Sequence, residues 1–242
     1  MSSLTKTVLI TGSTRSIGLA LAEYYTQSKW HVIGTARASS NTDELKALSP
    51  SRVVTLDTSD ESSVLDAARQ LEGVPIDLLI NNAGIWLPDK LQAAKKEDLM
   101  RQFEINTIGP FLTTRAFLPN LELAAKKQGA AYVAQLSTIL GSIHTNTPKM
   151  EAYFAEAFGY SASKTALNMI NRSMAVSLRK RNIGLVTLNP GYVKTDMTKH
   201  KGFLKPSNAA KAMANALEKL TLKDSGKFIN ADTKFPSAEI PW

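Results

Sequence analysis

Short runs of β-branched and apolar residues alternate with amphipathic stretches along the whole sequence. The strand-like runs are Val8–Thr11, His31–Ala36, Val53–Leu56, Leu78–Asn81, Ala131–Leu136, Leu185–Leu188 and Lys227–Asn230. The stretches with apolar residues at helical spacing are Ile17–Ser28, Glu61–Leu71, Glu97–Leu123, Tyr160–Lys180 and Asn208–Leu220. This β-α-β-α order predicts an α/β fold, with a mostly parallel, seven-stranded sheet covered by helices on both faces. Because such sheets bind ligands at the carboxyl ends of their strands, we expect functional residues directly after strands.

Composition excludes several other classes of protein. The 242 residues include no cysteine, which rules out disulfides, thiolate metal sites and a cysteine nucleophile. The three histidines stand too far apart along the sequence to predict a metal site. Since no apolar stretch approaches the roughly 20 residues that cross a bilayer, and no signal peptide is recognisable, we expect a soluble, cytoplasmic protein without a membrane partner.

The net charge is +8, from 29 Lys and Arg against 21 Asp and Glu. These basic residues are spread along the chain, which is typical of a solvated surface and gives little support to a nucleic-acid partner. No repeat, linker or shift of composition divides residues 1–242, so we expect one domain. Its one long irregular stretch, 139–159, carries Tyr153, Phe154 and Phe158. That stretch is either a wall of a substrate pocket or a surface insertion whose aromatic residues pack onto the domain.

A glycine-bearing turn, Thr11–Gly18, joins the first strand to the first helix. Backbone N–H groups at a helix N-terminus lack helical partners and the helix dipole is positive there, so the turn favours a pyrophosphate. Gly12 permits a tight turn and Gly18 allows the helix to pack closely on the sheet. A plain strand-to-helix turn is the alternative. The candidate cofactor-binding residues here are Gly12, Ser13, Thr14, Arg15, Ser16, Ile17 and Gly18.

This turn resembles that of the short-chain dehydrogenase/reductase family, with Ser16 in place of the middle of three glycines. The resemblance continues in order from about Lys6 to Trp242, and the ending Ile240–Trp242 is similar to the C-factor and Sniffer-like carbonyl reductase branch. It implies a single Rossmann-type domain that reduces a small-molecule ketone or aldehyde with a nicotinamide cofactor. The family often forms homodimers or homotetramers.

The end of the second strand bears on the choice of cofactor. In NAD-binding proteins an acidic residue at this place accepts hydrogen bonds from the adenosine ribose. Here the strand is followed by Arg37, and Arg15 in the glycine turn offers a second guanidinium group. Two guanidinium groups, each with a planar set of N–H donors, suit a 2′-phosphate. This pattern predicts NADP(H) as the cofactor. Two ordinary surface arginines are the alternative.

Three further motifs match the family after later strands. Asp57 and Thr58 follow the third strand, where the resemblance implies that Asp57 binds adenine, although a helix cap also explains an Asp there. Asn81–Gly84 matches the family's Asn-Asn-Ala-Gly motif. In Asn189–Asp196 the resemblance implies that Thr195 and the Val193 backbone hold the nicotinamide carboxamide. The cofactor-binding residues implied by the last two motifs are Asn82, Ala83, Gly84, Pro190, Gly191, Val193 and Thr195.

Tyr160 and Lys164 are four residues apart at the start of a predicted helix, so they share one face, about 5–6 Å apart at Cβ. The resemblance implies that Tyr160 is the general acid/base and that Lys164 also holds the nicotinamide ribose. A nearby ammonium favours phenolate, so we expect the pKa of Tyr160 to lie below its ordinary value near 10. For the polarising hydroxyl the resemblance implies Thr138, with Ser137 as the alternative.

Asn106 stands where the family has a catalytic Asn. Pro110 has no N–H, so the Asn106 carbonyl lacks its helical hydrogen bond, and we hypothesise that it holds a water linking Lys164 to solvent. A plain proline kink is the alternative. Trp86, Thr138 and Tyr192 are the candidate substrate-binding residues and favour an apolar or aromatic substrate. A non-catalytic NADP(H)-binding regulator is the second functional hypothesis.

Overall fold

The computed structural model describes residues 5–232, 234 and 237–242. Within them seven parallel strands form one sheet in the order β3-β2-β1-β4-β5-β6-β7, which confirms the predicted fold class. The strands are β1 (Thr7–Ile10), β2 (His31–Ala36), β3 (Arg52–Thr55), β4 (Leu78–Asn81), β5 (Ala131–Leu136), β6 (Ile183–Asn189) and β7 (Phe228–Asn230). The strand order reverses between β1 and β4. The carboxyl ends of these two strands therefore flank the crevice where ligands of such sheets bind.

Helices cover both faces of the sheet. They are α1 (Ser16–Gln27), α2 (Asp43–Ala47), α3 (Glu61–Gln70), α4 (Lys96–Phe103), α5 (Gly109–Ala116), α6 (Leu118–Gln128), α7 (Glu151–Phe154), α8 (Phe158–Leu178) and α9 (Pro206–Glu218). Side chains alternate along β1, so Val8 and Ile10 pack in one core with α1 and α9, whereas Leu9 packs in the other with α3, α6 and α8. Among the described residues no helix is long and apolar enough to cross a membrane.

The predicted helix Glu97–Leu123 is wrong as one element. A π-helical turn, Glu104–Ile108, separates α4 from α5, and α6 begins only at Leu118. At the end of this turn the Gly109 N–H donates to the Glu104 carbonyl, five residues earlier. The next residue, Pro110, has no N–H and so cannot donate to the carbonyl four residues earlier, as an α-helix requires. The wider π-helical turn accommodates this missing hydrogen bond.

Residues 139–159 are more regular than expected. They contain 3₁₀ turns at Ile139–Gly141 and Pro148–Met150, then α7, and α8 begins two residues before the predicted start. The end of the chain holds this stretch in place, because the Ser142 hydroxyl donates to the Pro241 carbonyl and the His144 N–H donates to the Trp242 carbonyl at 3.2 Å. The short helix α2 was not predicted, since five residues are too few to show helical periodicity.

Candidate active site

The turns after β1 and β4 pack directly against each other. Gly12 has a φ of 63°, in the left-handed region that favours glycine, and a Cβ there would lie 3.2 Å from Ala83. A Cβ on Gly18 would overlap the carbonyl oxygen of Gly12 and lie 2.6 Å from Nδ2 of Asn82. The first turn of α1 contains no acidic residue, and no side chain caps it. Its N–H groups are therefore suited to an anion.

Two of the candidate cofactor-binding residues, Asn82 and Ser13, have polar side chains that hold the turn together. Asn82 Nδ2 donates to the carbonyls of Thr11 and Gly12 at 2.9 and 3.0 Å, and the Thr11 hydroxyl accepts from the Asn82 N–H at 2.9 Å. The buried Ser13 hydroxyl donates to the Thr35 carbonyl on β2 at 3.1 Å. The Asn82 amide nitrogen and the Ser13 hydroxyl thus fix the shape of the turn, and so do their backbone N–H groups, since that of Ser13 also donates to the Thr35 carbonyl, at 3.1 Å.

Ser16, which stands where the family motif has its middle glycine, adopts a φ of 52°. This is the left-handed region in which a Cβ is strained, at a cost on the order of 1 kcal/mol. The replacement has therefore left the backbone in a conformation that suits glycine. The nearby residues Thr14 and Ile17 are half-buried.

The two predicted phosphate-binding arginines have different surroundings. Arg15 forms an ion pair with Asp196 in the loop after β6, at 2.9 Å, and His200 lies 3.2 Å from the other oxygen of that carboxylate. Arg37 is exposed and its side chain contacts no charged group among the described residues. Arg15 is thus paired with Asp196 across the crevice, and the joint binding of a 2′-phosphate by Arg15 and Arg37 stays a prediction.

Asp57 is not a helix cap. Its Oδ1 accepts from the N–H and the hydroxyl of Ser59 at 2.9 and 2.7 Å, whereas α3 is capped by Asp60, which accepts from the Ser62 N–H. The alternative explanation for Asp57 is therefore wrong. The adjacent Thr58 is buried.

Asn106 and Lys164 lie next to each other beneath Gly84. A Cβ on Gly84 would lie 3.1 Å from Asn106 Oδ1 and 3.5 Å from Lys164 Nζ. Lys164 is only 4% exposed, and its Nζ donates to the Leu136 carbonyl at the end of β5, at 2.7 Å. Asn106, in the π-helical turn, donates to Ser163 Oγ at 3.1 Å. The structure thus brings together three of the predicted residues, Gly84 from the loop after β4, Asn106 from the π-helical turn and Lys164 from α8.

Tyr160 lies beside this group in the first turn of α8. Its ring centroid is 6.0 Å from Lys164 Nζ and 6.5 Å from the Trp86 ring. Burial raises the pKa of Tyr160 to about 12 and lowers the pKa of Lys164 to about 8. The expected lowering for Tyr160 is therefore wrong, because withdrawing the phenolate from water outweighs the attraction of an ammonium at this distance.

The two candidate hydroxyls after β5 differ in their partners. The buried Ser137 hydroxyl donates to Asn168 Oδ1 on α8 at 2.7 Å. Thr138 Oγ1 accepts from the Leu140 N–H at 3.3 Å, and its hydroxyl proton goes to no described residue. Asn168 also donates to the Gly141 carbonyl, which ties this turn to the helix of Tyr160.

The loop after β6 completes the crevice. Pro190 leads into Gly191, whose φ is 82°, and a Cβ there would lie 2.8 Å from the Asp232 carboxyl group. Val193 and Thr195 are buried, and the Thr198 hydroxyl donates to the Val193 carbonyl at 2.7 Å. The Val193 N–H donates to no described residue and so remains for a ligand.

Aromatic side chains cluster around Tyr192 in the loop after β6. Tyr192 packs edge-on against Tyr153 at 6.4 Å and against Phe203 at 5.3 Å. Of the other aromatic residues in 139–159, Phe154 is buried and Phe158 is partly exposed. The burial of Phe154 agrees with packing onto the domain, and Tyr153 contacts the candidate substrate-binding residue Tyr192. The interpretation of this stretch as a wall of a substrate pocket stays a prediction.

Sequence reasoning missed several residues that shape the site. Asn168 shares a helix face with Lys164, and this spacing of four was the one available signal. Two carboxylates gave no signal in the sequence, because they are distant from their partners along the chain. They are Asp89, which binds the start of α8, and Asp196, which binds Arg15.

The profile of the short chain dehydrogenase family matches residues 6–203, most of the chain. The protein belongs to the short-chain dehydrogenase family. One relative of this protein is C-signal of Myxococcus xanthus, which is 34% identical over 171 residues, or 69% of this chain and 93% of the relative. These matches confirm the family resemblance seen in the sequence.

Solved structures of two carbonyl reductases resemble this protein along nearly its whole length. The NADPH-bound carbonyl reductase from chicken fatty liver is 31% identical, with a TM-score of 0.87 over 98% of this chain and 99% of that chain. Carbonyl reductase Sniffer of D. melanogaster is 29% identical, with a TM-score of 0.88 over 99% of this chain and 100% of that chain. Both likenesses agree with the branch suggested by the C-terminal sequence.

Proposed function

We propose that the protein is an NADPH-dependent carbonyl reductase that reversibly converts a small ketone or aldehyde into its alcohol. The observation that carries the proposal is the meeting of Asn106, Tyr160 and Lys164 beside the turns after β1 and β4. The similarity to two carbonyl reductases, one of them bound to NADPH, supports the same reaction.

The crevice fits a nicotinamide dinucleotide. Gly12 and Gly18 keep side chains away from the first turn of α1, whose N–H groups would hold the pyrophosphate. Asp57 has a second carboxylate oxygen for the adenine amine, and the Val193 N–H and Thr195 would hold the carboxamide. Arg37 is the candidate for the 2′-phosphate. When bound, NADPH supplies the hydride, and the protein supplies orientation and protons.

The ionisable groups suit proton delivery at neutral pH. With a pKa of about 12, Tyr160 carries its proton and can give it to the oxygen of a carbonyl that is being reduced. Lys164, with a pKa of about 8, exchanges its own proton close to neutrality and can restore that of Tyr160. The Asn106 carbonyl, which Pro110 cannot bond, would hold the water that connects Lys164 to solvent.

Thr138 is the better candidate for polarising the substrate carbonyl, because its hydroxyl proton is uncommitted whereas that of Ser137 is given to Asn168. Thr138→Ser should keep most of the activity, and Thr138→Val should lose about 10²-fold or more in kcat. Ser137→Ala is expected to reduce activity less than Thr138→Val. The reverse order in steady-state assays would assign the role to Ser137.

The substrate is proposed to be apolar or aromatic. Trp86 faces the ring of Tyr160, and the edge-on cluster of Tyr153, Tyr192 and Phe203 gives the outer site an aromatic surface. Aromatic and long-chain ketones should therefore show lower KM values than short polar ones. Equal KM values across such a panel would contradict this assignment.

The function is tested by following NADPH absorbance with a panel of aromatic and aliphatic aldehydes and ketones. Turnover is expected for the wild type and for Tyr132→Phe, a control at the opposite end of β5, and should be lost in Tyr160→Phe. Tight NADPH binding with no turnover on any carbonyl would favour a non-catalytic regulator instead.

Cofactor choice is tested separately by the dissociation constants of NADPH and NADH, measured by fluorescence. Arg37→Asp should remove most of the preference for NADPH, since a carboxylate repels the 2′-phosphate. Arg52→Asp, which changes the same charge at the amino end of β3, is the control. An unchanged preference in Arg37→Asp would contradict the assignment.

A further inference from the structure

A buried carboxylate holds the helix that carries Tyr160. Asp89 is 4% exposed, and its two oxygens accept from the N–H groups of Phe158 and Gly159 at 2.6 and 2.7 Å. These are the first two residues of α8, and Tyr160 is the third. N–H groups in a first helical turn have no helical partner, so this one side chain satisfies two of them and complements the helix dipole.

The fit between Asp89 and the start of α8 is tight. A Cβ on Gly159 would lie 2.8 Å from Asp89 Oδ2 and 2.5 Å from Gln102 Nε2, so only glycine allows this approach without displacement. The backbone adds a further contact, because the Asp89 N–H donates to the Glu156 carbonyl at 3.2 Å. Main chain and side chain of Asp89 together fix where α8 begins.

The other end of the same short segment, Ile85–Asp89, is held by Asn106. Asn106 Oδ1 accepts from the Ile85 N–H at 2.8 Å, and its Nδ2 donates to the Ile85 carbonyl at 2.9 Å. In the middle, the Leu87 N–H donates to the buried Gln102 side chain at 3.0 Å. Five residues therefore join the π-helical turn of Asn106 to the first turn of α8, with more than one hydrogen bond at each end and one in the middle.

We propose that Asp89 is a positioning residue that sets the place of Tyr160 relative to Asn106. The inference rests on the proposed carbonyl reduction, in which Tyr160 delivers the proton. Displacement of a reacting group by about 1 Å can cost on the order of 100-fold in rate. Lys164 is one turn further along α8 and has its own anchor in the Leu136 carbonyl, so loss of Asp89 displaces Tyr160 more than Lys164.

The test compares Asp89→Ala, Asp89→Asn and Asp60→Ala in the full-length protein. Asp60 caps a different helix, α3, through the Ser62 N–H at 2.9 Å, and serves as the control for the loss of a helix cap, with NADPH kept saturating. Asp89→Ala should lower kcat about 10- to 100-fold with the KM for NADPH changed less than about twofold. Asp89→Asn keeps one acceptor oxygen, so its kcat should lie between those of Asp89→Ala and the wild type. Asp60→Ala should have the kcat of the wild type.

A second readout separates this inference from the proposed function. With ¹³C-labelled tyrosine, the Tyr160 resonance, assigned by its loss in Tyr160→Phe, should shift in Asp89→Asn and stay in place in Asp60→Ala. If no carbonyl is turned over, the proposed function fails while this spectrum still decides the role of Asp89. An unmoved Tyr160 resonance in Asp89→Asn, or a kcat in Asp89→Ala equal to that of Asp60→Ala, would overturn the inference.

Discussion

Lys164 should destabilise the folded protein at neutral pH. Burial lowers its pKa from 10.5 to about 8. Between these values the unfolded chain binds a proton that the folded chain lacks, so stability rises as pH increases through this window. Below pH 8 the full cost of burying the ammonium applies, about 3 kcal/mol for a shift of this size. By pH 9.5 about 2 kcal/mol of that cost should be relieved.

Replacing Lys164 with Met isolates this effect. The variant has no ammonium to bury, so it should be more stable than the wild type at pH 7. The hydrogen bond to the Leu136 carbonyl is lost in the variant, and this loss offsets part of the gain in stability. Urea unfolding of both proteins from pH 7 to 9.5 gives their difference in free energy, in which other titrating groups largely cancel. That difference should shrink by about 2 kcal/mol across the range.

Lys211→Met, on the exposed side of α9, provides the control, and its difference from the wild type should stay constant over the same range. A pH-independent difference for Lys164→Met would refute the reasoning, since a buried ammonium that titrates near pH 8 must produce the change.

Three further substitutions test the crevice. Gly18→Ala places a Cβ against the Gly12 carbonyl, so urea unfolding should show a loss of about 1–3 kcal/mol, and an unchanged midpoint would contradict the packing. Ser16→Gly relieves a left-handed φ of 52° and should stabilise the protein by about 0.5 kcal/mol; a less stable variant would show that the strain argument fails. Asp196→Ala frees Arg15 and removes a negative charge, so fluorescence titration should show up to about fivefold tighter NADPH binding at low salt, and equal affinity would count against a phosphate site there.

Structural features that depend on residues close together in the sequence were predictable. The alternation of strands and helices is a pattern of neighbouring side chains, so it gave the parallel sheet and placed the motifs at strand ends. Tyr160 and Lys164 share a helix face by spacing alone, and their meeting with Asn106 follows from motif order. The missing N–H of Pro110, and so the loss of one helical hydrogen bond, was predictable, but the π-helical form of this turn depends on how the chain packs.

Features that depend on distant residues were not predictable. The bond between Arg15 and Asp196 spans 181 positions, and that between Asp89 and Gly159 spans 70. No local pattern marks either carboxylate as a partner. The pKa of Tyr160 was predicted in the wrong direction because two residues at helical spacing show their proximity but not how far the fold withdraws the phenol from water.

The central claim is that this crevice moves a hydride between NADPH and a carbonyl carbon beside Tyr160. The most direct measurement uses NADPH with deuterium at both C4 positions, an aromatic ketone and mass spectrometry of the product. The account predicts an alcohol that carries one deuterium on its carbinol carbon for the wild type, and no alcohol for Tyr160→Phe. Unlabelled alcohol, or equal labelling by wild type and variant, would contradict it.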